Sequence, residues 1–123
     1  MKPHIFPFEI AFADTDAGGI VYHARYVEIA ERARMSWLKT FKPAPESIGF
    51  AVVELSAKYK KPLRIADDFI VETIVKNVGA ASLTVEQKFV KNDEIYAILV
   101  IKIACLTTDL KPIRIPAEWH KYF

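Results

Sequence analysis

The run Asp14-Thr15-Asp16-Ala17-Gly18-Gly19-Ile20-Val21-Tyr22-His23 concentrates the reactive side chains of this 123-residue sequence. Two carboxylates and an imidazole flank a pair of glycines. A carboxylate there could act as a nucleophile or as a base toward water, and the imidazole could carry a proton. The same residues also make an ordinary capped loop, since Asp and Thr bond neighbouring amides and paired Gly permits positive φ. A third reading is a cation site with Asp14, Asp16 and His23 as ligands. No further His or Cys cluster completes its shell.

Other familiar chemistries are excluded by pattern. The sequence has no Gly-x-Ser-x-Gly elbow, no Gly-x-Gly-x-x-Gly, no P-loop and no Cys-x-x-Cys. Its one cysteine, Cys105, sits in the most apolar stretch and reads as an inert buried thiol. It can form no intrachain disulfide, which suits a reducing compartment. His4 and His120 lie near the termini and are expected at the surface. Glu31 and Arg34, three apart, are expected to form a structural ion pair. Lys58, Lys60, Lys61 and Arg64 cluster around Pro62, either as a solvated face or as donors to phosphates.

The elements that must position these groups follow from periodicity. Phe6 to Phe12 reads as a short strand. From Tyr22 to Phe41 the pattern is helical, with Tyr22, Tyr26, Ile29, Ala30, Ala33, Trp37 and Phe41 on one face. Such a helix is about 30 Å long, and Pro43 and Pro45 end it. Gly49–Lys61, Phe69–Lys76, Leu83–Val90 and Ile95–Thr107 read as strands, with turns at Asn77-Val78-Gly79-Ala80 and at Asn92-Asp93. The economical solution is α+β: an antiparallel sheet of about five strands wrapped around one long central helix. Ile95–Thr107 is apolar on both faces, and one helix covers only one of them, so a second chain is expected over the rest.

Composition bounds the remainder. With 52% hydrophobic and 26% charged residues the chain is globular, and its length fits a single domain spanning residues 1–123. A balance of 17 basic against 15 acidic residues makes no electrostatic case for nucleic acid. No stretch is long enough to span a bilayer, since Ile95–Leu106 is broken by Lys102. The N-terminus lacks an apolar targeting segment, so the expected location is cytoplasmic.

The unbroken motif from Phe12 to Tyr26, followed by Glu31-Arg32-Ala33-Arg34, resembles the signature of hotdog-fold acyl-CoA thioesterases. The nearest branch is the 4-hydroxybenzoyl-CoA thioesterase-like group, and within it the Tol–Pal-associated acyl-CoA thioesterases. The resemblance implies hydrolysis of an acyl-CoA thioester to free acid and CoA, with no cofactor and no metal. It implies a homodimer or homotetramer. It makes Asp16 the catalytic carboxylate and sets a helix N-terminal amide, near His23, against the thioester carbonyl. Gly19 and Tyr22 would lie beside the substrate, and Lys60, Lys61 and Arg64 would take the CoA phosphates. Glu31 is a lesser catalytic candidate, since some hotdog branches place a Glu on this helix. Two positions depart from the branch: Phe12 stands where a Tyr is frequent, and Gly79-Ala80-Ala81 stands where some hydroxybenzoyl-CoA relatives carry basic residues.

Thioester chemistry is compatible with one carboxylate. The leaving thiol, with a pKa near that of Cys at about 8.5, departs as thiolate without a strong general acid. The reaction needs a nucleophile or a base for water, plus a donor to the developing oxyanion. Asp16 suits either role, and both stay open. No Ser, Thr, Asp or Asn at Val21-Tyr22-His23 caps the helix amides, which leaves them free for a substrate carbonyl. Two alternatives remain: a hotdog dehydratase or hydratase using His23 with Asp16, and a non-catalytic acyl-CoA binding module. Phe50, Tyr59 and Trp37 are expected to set the depth of the acyl pocket.

Overall fold

The computed structural model describes residues 1–43 and 47–123. It contains β1 (His4–Glu9), α1 (His23–Leu38), β2 (Ile48–Tyr59), β3 (Asp68–Val78), β4 (Ser82–Lys91) and β5 (Glu94–Thr107). The strands form one antiparallel sheet in the order β1-β3-β4-β5-β2, with α1 packed on one face. This is the α+β hotdog arrangement expected from the sequence. Among the described residues no helix is long and apolar enough to cross a membrane.

Strict alternation builds the core. On β4, Leu83, Val85, Gln87 and Phe89 turn toward α1, while Thr84, Glu86 and Lys88 turn away. On β5, Ala97, Leu99, Ile101, Ile103 and Cys105 do the same. They meet Tyr26, Ile29, Ala30, Ala33 and Trp37 of the helix. Fully burying a side chain such as Leu99 is worth about 1.5–3 kcal/mol. The opposite face of β5, with Ile98, Val100, Ala104 and Leu106, is only half-buried. Burial pushes the Cys105 thiol pKa up, in keeping with an inert core cysteine.

Several boundaries differ from the sequence expectation, each for a local reason. The first strand ends at Glu9, not Phe12, because Phe12–Asp14 winds into a 3₁₀ turn and leaves Phe12 81% exposed. The helix is 16 residues, shorter than expected at both ends. Tyr22 is its extended N-cap and 44% exposed. At the other end Thr40 N–H and Oγ1 both donate to Trp37 O, and Phe41 N–H donates to Leu38 O. Phe41 is therefore buried, as expected, by a tight turn and not by helix. The helix has stopped before Pro43, and Pro45 lies outside the described residues. Strand β3 runs on through Asn77 and Val78, so the β3–β4 turn comes later, closed by Gly79 N–H to Ser82 O. The β4–β5 turn is at Asn92-Asp93 as expected, both with positive φ, which suits a two-residue hairpin loop.

Two polar assignments are corrected. Arg34 is 7% exposed and does not pair with Glu31, which stays at the surface. Its Nη1 donates to Gln87 Oε1 at 3.0 Å, and Gln87 Nε2 donates to Ala30 O and Thr73 Oγ1. A buried guanidinium needs a fixed acceptor, and the interior Gln supplies one. His4 is half-buried, not at the surface, with Nε2 3.1 Å from Ser36 Oγ, and burial lowers its pKa.

Candidate active site

The segment between β1 and α1 is held by its first carboxylate. Asp14 is 5% exposed; Oδ1 accepts from Arg25 Nε and Oδ2 from the Ala11 amide, both at 2.8 Å. With both oxygens engaged, Asp14 is a structural staple. Among the described residues no three His, Cys, Asp or Glu side chains converge as a metal site.

Asp16 is held differently. Its amide donates to Ile20 O, its carbonyl accepts from Gly19 N–H, and its Oδ1 accepts from Gly18 N–H at 2.8 Å. Gly19 sits at φ +79°, a conformation that glycine adopts without strain. A Cβ at Gly18 would stand 3.1 Å from Asp16 Oδ1, so the turn is cut close around the carboxylate. One carboxylate oxygen is thus anchored, while the residue as a whole is exposed. Among the described residues Oδ2 has no partner.

Backbone pairing then brings the end of β2 alongside. Thr15 bridges Val21, Ile20 bridges Arg64, and Val21 N–H donates to Leu63 O at 2.8 Å. This docks the Lys60–Arg64 stretch against the helix start. At Tyr22 no side chain caps the helix, and among the described residues the His23 and Ala24 amides meet no acceptor. Tyr59 O–H donates to His23 O at 2.8 Å, and Tyr26 OH accepts from Leu63 N–H. The two phenol rings meet edge to face at 5.1 Å. Burial raises the pKa of both phenols, so they stay protonated near neutrality.

A cleft of about 480 Å³ results, lined by Asp16, His23, Tyr26, Tyr59, Lys60 and Lys61 among others. The structure therefore brings together Asp16, His23, Lys60 and Lys61, four of the residues singled out from sequence. Gly19, Tyr22 and Arg64 lie outside its lining. Gly19 shapes the turn, Tyr22 packs edge-on against His23, and exposed Arg64 donates its amide to Asp67. Lys61 forms an ion pair with Glu94, whereas Lys60 has no ion-pair partner among the described residues. Lys58 sits opposite Ile98, on the sheet face away from α1. Glu31 belongs to a separate groove with Phe6, Arg32 and Met35. A further cleft of about 560 Å³, lined by Pro7, Phe8, Ile70 and Lys91, contains no histidine and no helix terminus.

Tyr26 was readable only as a core residue, because helical periodicity reports burial and not the bond its hydroxyl makes. Of the three residues expected to set pocket depth, only Tyr59 lines the cleft. Phe50 packs on Trp119, and Trp37 packs on Phe41 and Phe123, at the other end of the helix. The carboxyl-terminal aromatics that hold them there carry no periodic signal.

The arrangement can present one anchored carboxylate and unpaired helix amides to a substrate carbonyl, with lysines nearby for an anionic group. Comparison with known proteins identifies the family. The sequence profile of the thioesterase superfamily matches residues 18–98. The acyl-CoA thioesterase YbgC of Haemophilus influenzae is 34% identical over 120 residues, covering 92% of this chain and 88% of that protein. Among solved structures, a hypothetical protein from Aquifex aeolicus superposes with a TM-score of 0.88 at 27% identity, over 97% of this chain and 98% of the other. A gentisyl-coenzyme A thioesterase superposes with a TM-score of 0.85 at 28% identity, over 93% and 97%.

Proposed function

The chain belongs to the thioesterase superfamily and is an acyl-CoA thioester hydrolase; from that premise we propose that Asp16 and the amides at the start of α1 carry the reaction. The observation that supports this most is the shared cleft: Asp16 and His23 line it together, at a helix terminus that no side chain caps. The carbonyl carbon of the thioester comes to Asp16, and its oxygen to the His23 amide. As the tetrahedral centre forms, charge grows on that oxygen, where the unpaired N–H and the positive end of the helix dipole stabilise it. Asp16 Oδ2 either attacks the carbon or takes a proton from water that does so. Collapse expels the CoA thiolate. The water route leaves the free acid directly; the covalent route leaves an Asp16 anhydride that a water then hydrolyses to the acid and the free carboxylate. Gly18 N–H holds Oδ1 throughout, which keeps the free oxygen aimed.

Lys60 and Lys61 hold the CoA phosphates, with exposed Arg64 on the same segment, while Gly19 and Tyr22 flank the entering substrate. Replacing Lys60 and Lys61 together with Ala raises KM for acyl-CoA by roughly tenfold, the worth of a charge-assisted contact, with kcat little changed. A short thioester without the nucleotide is indifferent to the change. Equal losses on both substrates would place the lysines in the fold or at the chemistry instead.

The working unit is a homodimer, or a dimer of dimers. Strand β2 is an open sheet edge of 12 residues with Val52, Val53 and Leu55 exposed. Uncovered apolar edges of this length are an aggregation hazard unless paired. Light scattering at low micromolar concentration is expected to give a multiple of 14.0 kDa. A stable, active monomer would remove the claim.

The acyl group is set by measuring thiol release across a panel running from acetyl-CoA to palmitoyl-CoA and including hydroxybenzoyl-CoA. Turnover on at least one member is expected. Tight CoA binding with no release from any of them would make the protein a binding module.

A further inference from the structure

We propose that Tyr59 is a positioning residue, holding the His23–Ala24 peptide so that the Ala24 N–H joins the His23 N–H as a second oxyanion donor. This rests on the helix-start reading above. It begins from one hydrogen bond, Tyr59 O–H to the His23 carbonyl, made across 36 positions of sequence. In a trans peptide the C=O and N–H point in opposite directions. Holding the His23 carbonyl therefore fixes where the Ala24 N–H aims. That amide is one of those an α-helix leaves unpaired at its start, and among the described residues no acceptor takes it. A donor at the carbonyl also polarises the same peptide unit, strengthening its N–H toward an acceptor.

The phenol is itself braced. Tyr59 ends β2 opposite Ala97, and its ring stands edge-on to Tyr26, whose own ring meets Phe89 at 5.2 Å. Tyr26 OH accepts from Leu63 N–H, and Leu63 O accepts from Val21 N–H. The Tyr59–Leu63 stretch thus grips the chain on both sides of the N-cap, at Val21 before it and at His23 after it. A residue that only walled the cleft would need the ring; the bond to His23 needs the hydroxyl.

Tyr59→Phe keeps the ring and deletes the donor. The expected result is a fall in kcat on acyl-CoA of about tenfold, below the 10²–10³ typical of losing an oxyanion donor outright, with KM within about twofold. The ¹⁵N resonance of the Ala24 amide should move in the same variant. A kcat within about twofold of the parent, a rise in KM alone, or an unmoved Ala24 resonance overturns the proposal. If Tyr59→Phe does not fold, 3-fluorotyrosine at position 59 keeps the ring and strengthens the donor; an unmoved Ala24 resonance then overturns it. His23→Pro separates the two readings. Loss of activity there with a fully active Tyr59→Phe removes the role of Tyr59 alone, whereas an active His23→Pro removes the helix-start reading beneath it.

Discussion

Asp16→Asn is expected to lower kcat on acyl-CoA by at least about 10³-fold while the protein folds normally. The expectation combines two facts about this residue. Its Oδ1 does a structural job, accepting from Gly18 N–H, and an amide oxygen in Asn can accept the same bond. What Asn cannot supply is the negative charge that attacks the carbonyl or takes the proton from water. Thermal unfolding should therefore be nearly unchanged in a variant without turnover. Asp14→Asn should show the reverse balance. Asp14 is buried between Arg25 and the Ala11 amide, and an Asn NH₂ facing Arg25 leaves a donor opposed to a donor. Loss of that charge-assisted bond costs about 1–3 kcal/mol of stability, read from the urea midpoint, with a smaller effect on kcat. Should Asp14→Asn prove the more damaging to turnover with both variants folded, the roles of the two carboxylates are exchanged.

The contrast between these two carboxylates marks where sequence stops being legible. Types and spacing located both, but loop chemistry did not tell them apart; the resemblance alone singled out Asp16. The partner of Asp14, however, is Arg25, eleven residues on, and helical periodicity describes Arg25 only as off the apolar face. The fold class and the succession of elements along the chain were legible because alternation and the 3.6-residue period are local, whereas the sheet order, with β2 beside β5, rests on long-range pairing. Boundaries shifted wherever one hydrogen bond decided them, as at Ala11–Asp14 and at Trp37–Thr40. Arg34 went further astray, because its acceptor, Gln87, lies 53 residues away across the core. In the cleft, His23 was found by its place in the Asp14–His23 run and the lysines by their clustering around Pro62, whereas the hydroxyls of Tyr26 and Tyr59 were not. Their bonds to Leu63 N–H and His23 O depend on how β2 docks against the helix start.

His23→Pro is expected to lower kcat by about 10²–10³, the usual loss on removing one oxyanion donor, while His23→Ala keeps activity well above that of Asp16→Asn. The comparison is clean because of where the residue sits. His23 is the first residue of α1, a position where proline's fixed φ suits the helix and no intrahelical N–H bond is lost. The residue before a proline must be extended, and Tyr22 already is, at φ −75° and ψ 146°. Proline also keeps the carbonyl that accepts from Tyr59. The substitution thus deletes the His23 N–H and the imidazole and disturbs little else, and His23→Ala accounts for the imidazole alone. The difference in kcat between the two variants is then the contribution of the amide. If His23→Ala is instead as inactive as Asp16→Asn, the imidazole takes part in the chemistry. Proton abstraction beside the carbonyl would then become the better description, and hydration of an enoyl-CoA would be the activity to measure.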